Sequence, residues 1–493
     1  MENPSSKEGY LAHIADQAMT TFGLEPEFNP ESLRQLQTLT APAQDSSGKL
    51  KDMRDKLWCS IDNDDSRDLD QISVGEDLGG SRTRLWVAVA DVDALVTLDS
   101  PLDLHARKNT TSVYTGVKTF PMLPEKLSTN LTSLNQNEER LALIIEMDVE
   151  ADGSISQSSV YRARVVNKSK LAYNSVSAWL EKKGSLPIPA EKVRGMDAQL
   201  RLQDAAAQRL RERRHEAGAL ELRTIQTRPV NENGQVVDLI HEDQTRAGEL
   251  IEDLMVAANG ITAKFLTRKG FPTLRRVVKI PERWDRIVSL AAERGAKLPA
   301  SPDSKALNGF LQNQKTKDLL RFPDLSLMVV KLLGRGEYVL DKPGETPQGH
   351  FGLAVKDYNH STAPNRRYPD LVTQRLLKAA LNGLASPYSL PDLQTLAVHC
   401  TEQENAADKV ERQIRKSASA LFLSKRVGET FDALVTGASP KGTWVRILNP
   451  HVEGFLAQGG KGLDVGDRIR VKLIGVSVEK GWIDFARING NTT

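Results

Sequence analysis

Residues 61–71 read IDNDDSRDLDQ and follow closely on the apolar residues Leu57, Trp58 and Cys59. Five of the eleven residues are aspartates, although the whole chain of 493 residues carries a net charge of only +2. Carboxylates that repel one another at short range are usually kept together by a cation or by a catalytic task. The stretch therefore predicts a strand that leads into an acidic, functional loop.

The spacing of the aspartates favours a metal site. Asp68 and Asp70 are two residues apart and share one face if the chain is extended there. Asp62 ends the preceding strand, and the turn that follows can bring it back to that face. Three converging carboxylates suit Mg²⁺, whereas the alternative interpretation of the residues alone is a solvated acidic turn. A calcium loop of the EF-hand type is disfavoured, because Arg67 replaces its turn glycine and Ser73 its closing glutamate.

Composition indicates a soluble globular protein of several domains. Hydrophobic residues make up 39% and charged residues 26% of a chain that is too long for one ordinary domain. Its 66 basic and 64 acidic residues neither require nor exclude a polyanionic partner. Cys59 and Cys400 allow no disulfide framework, and the chain has neither a signal pattern nor an apolar run of membrane length. We therefore expect a monomeric, cytoplasmic protein with no membrane contact.

The order of the elements predicts an α+β protein in which a mixed α/β domain precedes a small all-β barrel. Residues 1–56 fit a helical extension and linker, 57–426 the mixed domain, 427–488 the barrel and 489–493 a tail. Apolar runs predict strands early in the mixed domain, at 57–62, 85–92, 140–149 and 160–166. Helical spacing recurs later, at about 191–216, 245–268, 369–383 and 391–426.

Together these features resemble the RNB domain, the catalytic domain of the ribonuclease II and ribonuclease R family. The resemblance covers residues 58–422 and begins with the family's Ile-Asp pair, followed by its Asp-x-Asp-Asp motif. It identifies Asp62, Asp68 and Asp70 as metal ligands, while Gln71 stands in place of the fourth aspartate. Family enzymes are Mg²⁺-dependent 3′→5′ exoribonucleases that release 5′-mononucleotides. The resemblance therefore implies that Asp70 is catalytic and that Mg²⁺, or Mn²⁺ as the alternative, is the cofactor.

Three further segments of this domain carry side chains that the family uses on RNA. The resemblance makes Tyr114 the aromatic residue that stacks on a base near the 3′ end. It makes Arg366 the catalytic residue that clamps the scissile phosphate, in a motif that departs from the family at Ala363 and Asn365. Arg367 is a further candidate RNA contact, because both arginines lie in the loop that enters a helix. It matches Glu411 to a glutamate that contacts the terminal nucleotide. The structural alternatives are a strand tyrosine, surface arginines before a helix, and a helical ion pair.

The last part of the chain resembles an S-one type RNA-binding domain, which is an OB-fold. Trp444 and Phe455 are the candidate base-stacking residues on its surface, whereas Phe431 and Phe485 are expected in the barrel core. From the residues alone, the core remains the alternative for Trp444 and Phe455 as well. Candidate phosphate contacts are cations of the same barrel, namely Lys441, Arg446, Arg468 and Arg470.

Two functions fit these features. The first is an exoribonuclease that degrades single-stranded RNA, its expected partner. The second, suggested by Gln71, is an RNA-binding protein that has kept the RNB fold but hydrolyses RNA weakly or not at all. The family's N-terminal cold-shock barrels are expected to be missing, because the 57 residues before the resemblance fit helices.

Overall fold

The fold combines long helices with a mixed sheet and a separate barrel. It is described by a computed structural model for residues 7–45, 50–223, 226–232, 235–242, 244–319, 321–439 and 441–488. The predicted tail, 489–493, lies outside the described residues. The helices are α1 (Lys7–Thr21), α2 (Pro30–Thr38), α3 (Pro101–Asn109), α4 (Tyr173–Leu180), α5 (Ile188–Glu191), α6 (Met196–Glu216), α7 (Arg246–Arg268), α8 (Trp284–Ala292), α9 (Ser304–Lys317), α10 (Phe322–Leu333), α11 (Tyr368–Leu381) and α12 (Leu390–Leu423).

The strands build a mixed sheet, three strand pairs and a closed barrel. They are β1 (Lys51–Asp52), β2 (Cys59–Asp62), β3 (Gln71–Gly79), β4 (Arg82–Ala90), β5 (Val113–Tyr114), β6 (Thr119–Phe120), β7 (Glu139–Val149), β8 (Ile155–Val166), β9 (Ser169–Ala172), β10 (Gln226–Glu232), β11 (Gln235–Glu242), β12 (Thr273–Val277), β13 (Glu337–Asp341), β14 (Thr430–Ser439), β15 (Gly442–Leu448), β16 (His451–Gln458), β17 (Arg468–Ser477) and β18 (Trp482–Arg487). The main sheet has the order β1-β8-β7-β4-β3-β2-β9. This mixture confirms the predicted α+β class.

The main sheet fixes both ends of the acidic loop. Strand β4 lies in its middle because residues 85–90 are apolar and buried on both faces. Strand β3 pairs with β4 in antiparallel fashion, while β2 pairs with β3 on one side and runs parallel to β9 on the other. Since β2 ends at Asp62 and β3 begins at Gln71, the intervening loop starts and finishes on neighbouring strands.

Helices α8, α9 and α10 form a subdomain that the sequence analysis did not predict. It has its own core, which includes Trp284, Phe310 and Phe322. Strand β12 precedes it, β13 follows it, and the two pair in antiparallel fashion, which ties both ends of the segment to the main domain. These helices have only nine to fourteen residues and are separated by loops, so their apolar spacing is too brief to stand out.

The C-terminal strands close into a five-stranded barrel in the order β14-β15-β16-β18-β17, which confirms the predicted barrel. Phe431 and Phe485 lie in its core, as expected. Helix α12 takes part in the same core, because Ala420 and Leu423 from its last turn pack among the barrel residues. The division into domains at 56 and 426 stays a prediction.

The N-terminal part of the chain contains helices α1 and α2. Helix α2 begins with a cap at Asn29, whose side chain accepts a hydrogen bond from the Ser32 N–H at 2.8 Å. The Ser32 hydroxyl in turn donates to the Pro101 carbonyl at 2.8 Å, which fastens α2 to α3. Within the described ranges, no helix combines the length and apolarity needed to cross a membrane.

The stability of the acidic loop's supporting strand can be tested at Trp58. Its side chain is 0% exposed, and its indole N–H donates to the Met53 carbonyl at 2.7 Å. We expect Trp58→Ala to lower the free energy of unfolding by about 3–5 kcal/mol, since it leaves a cavity and removes one of the two hydrogen-bond donors to the Met53 carbonyl. Trp482→Ala is the control, because Trp482 is 58% exposed and should cost less than about 0.5 kcal/mol. Urea unfolding measures both; similar losses would contradict the packing role.

Candidate active site

The acidic loop is folded back by hydrogen bonds from within it and from a neighbouring segment. Asp62 Oδ1 accepts hydrogen bonds from the Asn63 N–H at 2.7 Å and from the Ser66 hydroxyl at 3.0 Å. The Leu69 N–H donates to the Ser133 hydroxyl at 3.0 Å. These bonds return the second half of the loop towards the end of β2.

Asp70 is the buried member of the cluster, with 2% of its surface exposed. Its Oδ1 accepts a hydrogen bond from the Asn365 N–H at 2.9 Å. Its Oδ2 lies 3.4 Å from Arg366 Nε but has no hydrogen-bond partner within the described part of the chain. Burial raises the pKa of the Asp70 carboxyl to about 7, although the charge of Arg366 opposes the shift. A buried carboxylate oxygen that accepts no hydrogen bond is therefore available to a further cation.

Arg366 and Arg367 are adjacent in sequence but serve different neighbours. All three predicted metal ligands interact electrostatically with the guanidinium of Arg366. Arg367 instead pairs with the buried Asp370 of α11 at 2.7 Å. Both arginines precede α11, which has Pro369 in its first turn, where the missing N–H costs no helical hydrogen bond. The structure thus brings Arg366 to the carboxylates and directs Arg367 towards the helix.

Tyr114 connects the acidic loop to the long C-terminal helix. Its phenol donates a hydrogen bond to Asp68 Oδ2 at 3.0 Å. Its backbone N–H donates to Glu411 Oε1 on α12 at 2.9 Å. The side chain is 42% exposed, so a large part of the ring remains open to a ligand. Asp68, Tyr114 and Glu411, predicted separately, are therefore in direct contact.

A cavity of about 540 Å³ opens beside this contact. That volume lies within the range of about 300–1,000 Å³ that is common for small-molecule sites. Its wall carries both signs of charge, contributed by Asp65, Arg67, Asp68, Lys118, Glu125, Glu411 and Arg415. Glu411 is partly buried in this wall, and its burial raises the pKa of its carboxyl. The cavity is polar and suited to a charged ligand.

The residues present fit a divalent metal ion. Within the described ranges, no three carboxylate, imidazole or thiolate groups already stand at the spacing of a complete ligand set. However, burial raises the pKa of Asp62, and the charge of Asp68 adds to that shift, so these carboxylates gain from a nearby cation. Together with Oδ2 of Asp70, which accepts no hydrogen bond, they supply hard oxygen donors of the kind that Mg²⁺ and Mn²⁺ bind.

The predicted stacking residues of the barrel lie on its outer surface. Trp444 on β15 and Phe455 on β16 are cross-strand neighbours, with ring centroids 5.8 Å apart. Phe455 is 37% exposed and Trp444 is half-buried, and neither belongs to the barrel core. The core alternative for these two residues is therefore wrong.

The predicted phosphate contacts of the barrel differ in their availability. Lys441, Arg468 and Arg470 are exposed. Arg446 is paired with Asp324 of α10 at 2.5 Å, and both side chains are largely buried. Because its charge is already matched, Arg446 joins the barrel to the α8–α10 subdomain rather than standing open to a phosphate.

Sequence reasoning missed two residues. Asn365 was noted only as a departure from the family motif, yet its backbone N–H is the donor to Asp70. Trp482 was not singled out, although it is 58% exposed and Lys480 Nζ lies 4.5 Å above its ring. It lies on β18, beside β16 and the strand face that carries Phe455. The alternation of exposed and buried residues in WIDFAR could have indicated it.

Comparison with known proteins assigns both parts of the chain. The RNB domain model matches residues 50–383. The model of the RNase II-type exonuclease C-terminal S1 domain matches residues 429–488. Ribonuclease R of Thermotoga maritima is 30% identical over 497 residues, which cover 94% of this chain and 68% of that protein. Ribonuclease R of Escherichia coli is 28% identical, over 91% of this chain and 58% of its own length.

A solved structure shares the fold over nearly the whole chain. Mycoplasma genitalium RNase R in complex with ribose methylated single-stranded RNA gives a TM-score of 0.87 at 23% identity. The match covers 99% of this chain and 79% of that one. Since the RNB domain model covers more than half of the residues, and the Thermotoga maritima relative is similar across most of its length, the chain belongs to the RNB-domain family of ribonuclease II and ribonuclease R.

Proposed function

We propose that this chain is a 3′→5′ exoribonuclease that hydrolyses single-stranded RNA and releases 5′-mononucleotides. The main support is the contact of Tyr114 with Asp68 and Glu411, beside the pair of Asp70 and Arg366. Asp68, Tyr114 and Glu411 line the cavity, and the Asp70–Arg366 pair adds a further carboxylate and a cation to the exposed aromatic ring. Phosphodiester hydrolysis needs the carboxylates and the cation, and acceptance of every base in turn suits the aromatic ring.

Each side chain has a defined task in this proposal. Tyr114 seats a base near the 3′ end by stacking, which does not discriminate between bases. Glu411 holds the tyrosine backbone and borders the terminal nucleotide. Arg366 stabilises the negative charge that grows on the scissile phosphate as the water attacks. The Asn365 N–H keeps Asp70 oriented throughout.

Asp62, Asp68 and Asp70 are the proposed metal ligands, with Mg²⁺ as the expected ion and Mn²⁺ as the alternative. When bound, the metal supplies Lewis-acid chemistry, which lowers the pKa of the attacking water and offsets charge on the leaving oxygen. The carboxylates contribute the negative charge that retains it, and the burial of Asp70 limits competition from solvent. Gln71 contributes only a neutral amide, so the set has one charge fewer than the family pattern.

The rest of the proposal concerns the setting of the activity. We expect a monomer that works in the cytoplasm on single-stranded RNA. Cys59 and Cys400 are buried and unpaired with each other, which is consistent with a reducing compartment. The exposed aromatic residues of the barrel support a second RNA contact outside the active site.

The direction of degradation and the identity of the product test the proposal directly. Purified protein is incubated with Mg²⁺ or Mn²⁺ and single-stranded RNA labelled at either end. We expect label at the 3′ end to appear at once as a mononucleotide, and label at the 5′ end to remain on progressively shorter RNA. RNA binding without hydrolysis in either metal would instead favour the alternative, an RNB-fold protein that binds RNA and does not cleave it.

Asp70→Asn should separate binding from hydrolysis. The neutral amide removes a proposed metal ligand and keeps the side-chain shape, so turnover should fall by about 100-fold or more while the Kd for RNA changes little. Asp64→Asn is the matched control, because Asp64 is an exposed aspartate of the same loop. Single-turnover rates and binding in EDTA measure the two effects. Turnover above about one tenth of wild type, which is a loss of less than about 1.4 kcal/mol, would contradict the role.

Gln71→Asp should lower the Mg²⁺ concentration that gives half-maximal activity. The substitution adds a carboxylate to the proposed set, and divalent affinity depends on ligand charge. Gln71→Asn is the control with the same shape and no charge, and it should not shift the midpoint downward. Gln71 is half-buried and begins β3 opposite Val89, so both variants are also checked by melting temperature. Equal half-maximal Mg²⁺ concentrations for Gln71→Asp and the wild type would show that residue 71 is not a metal ligand.

Phe455→Ala should weaken RNA binding without abolishing cleavage. Loss of one base-stacking contact costs about 1–3 kcal/mol, which is a rise of at least about fivefold in Kd. Point substitution is preferred to removal of the barrel, since Ala420 and Leu423 would lose their packing partners. Val398→Ala, at a side chain on α12 that is 50% exposed, is the control. Fluorescence anisotropy with single-stranded RNA in EDTA provides the Kd; equal values for the two variants would exclude stacking at this surface.

A further inference from the structure

Helix α1 packs against both elements that meet at Tyr114. Its apolar residues recur at helical spacing and are buried, namely Leu11, Ile14, Ala15, Ala18 and Met19. They share a cluster with Val113 and Phe120 of the β5–β6 hairpin and with Val410 and Ile414 of α12. The hairpin carries Tyr114, and α12 carries Glu411. One face of α1 therefore supports both partners of the Tyr114–Glu411 hydrogen bond.

The hairpin depends on such support because it is very short. Strands β5 and β6 have two residues each, and an isolated two-stranded hairpin is at best marginally stable in water. On one side, the Ser112 N–H donates to the Arg366 carbonyl at 3.0 Å. On the other, Val113 and Phe120 are buried in the α1 cluster. The position of Tyr114 is thus set by what the hairpin packs against.

An ion pair ties the tip of the hairpin to α1. Lys118 Nζ lies 2.7 Å from Asp16 Oδ1 and 3.5 Å from Glu27. The same ammonium lies 4.8 Å from the centre of the Phe120 ring. Lys118 also lines the cavity next to Tyr114. The pair therefore connects α1 to the wall of the candidate active site.

We infer that α1 is a positioning element for the reaction and that Asp16 is its positioning residue. Through Lys118, Asp16 holds the hairpin so that Tyr114 stays between Asp68 and Glu411. This inference rests on the proposed function, because it assigns Tyr114 a task in seating RNA. It adds a requirement outside the carboxylate cluster, since α1 lies more than 40 residues before Asp62 in sequence.

Asp16→Lys is a suitable perturbation because it acts on the contact and spares the apolar packing. The side chains of Asp16 and Lys118 are 38% and 32% exposed, so the pair contributes little to overall stability. Reversing one charge sets two ammonium groups against each other and pushes the hairpin tip away from α1. We expect an unchanged melting temperature and faster amide hydrogen exchange in residues 113–120 of the RNA-free protein. Unchanged exchange in that segment would overturn the inference.

The functional effect is measured as the Kd for RNA and as separate values of KM and kcat. We expect Asp16→Lys to raise the Kd in EDTA and the KM by about fivefold, the size of one weakened stacking contact. The direction is informative, because replacing a negative charge by a positive one would by itself tighten RNA binding. Glu31→Lys is the matched control: it makes the same charge change on α2, where Glu31 pairs with the exposed Arg34. An equal effect of both variants would overturn the inference.

A double-mutant cycle and a charge swap decide whether Asp16 acts through the tyrosine. In a Tyr114→Ala background, Asp16→Lys should no longer raise the Kd, whereas a rise as large as in the wild-type background would show independent roles and overturn the inference. Adding Lys118→Asp to Asp16→Lys should restore exchange protection in residues 113–120. Since exchange and binding need no hydrolysis, an inactive wild type would refute the proposed function and still leave these measurements to decide the inference.

Discussion

The Asp70 carboxylate is 2% exposed and has one hydrogen-bond donor among the described residues, the Asn365 N–H. Removing an ionised carboxylate from water is costly unless other charges or donors compensate for it. Arg366 provides part of that compensation, but it stands at 3.4 Å and leaves Oδ2 without a hydrogen bond. The neighbouring groups therefore leave part of the negative charge of Asp70 uncompensated. In a shielded site, a cation is held more strongly than the same carboxylates would hold it in water.

The elements that surround Asp70 come from distant parts of the chain. Asn365 lies 295 residues after Asp70, and Glu411 lies 297 residues after Tyr114. The loop before Arg366 is held in turn by a buried network in which the Ser361 N–H donates to Asn259 at 2.9 Å. Such a site exists only when the long-range packing is complete. Small shifts in helices that touch no substrate can therefore alter its geometry.

Features that depend on residues close together in the sequence could be predicted, and features that depend on contacts between distant residues could not. The acidic loop, the strand before it and the barrel aromatics could be predicted because their signals lie within a few neighbouring residues. The ion pairs of Arg367 and Arg446 could not be predicted, because their partners, Asp370 and Asp324, come close only in the folded chain. The family resemblance assigned roles to the residues of its motifs, but it did not indicate that the backbone N–H of Asn365 would donate to Asp70.

Helix α12 belongs to three cores at once. Its first turns pack in the core of the main domain, its middle with α1 and the Tyr114 hairpin, and its last turn in the barrel. At 34 residues it is about 50 Å long. Because one continuous helix contributes to all three cores, α12 is not a flexible linker, and the barrel is packed onto the helix that precedes it. Exchange of the barrel between relatives would have to carry the end of α12 with it.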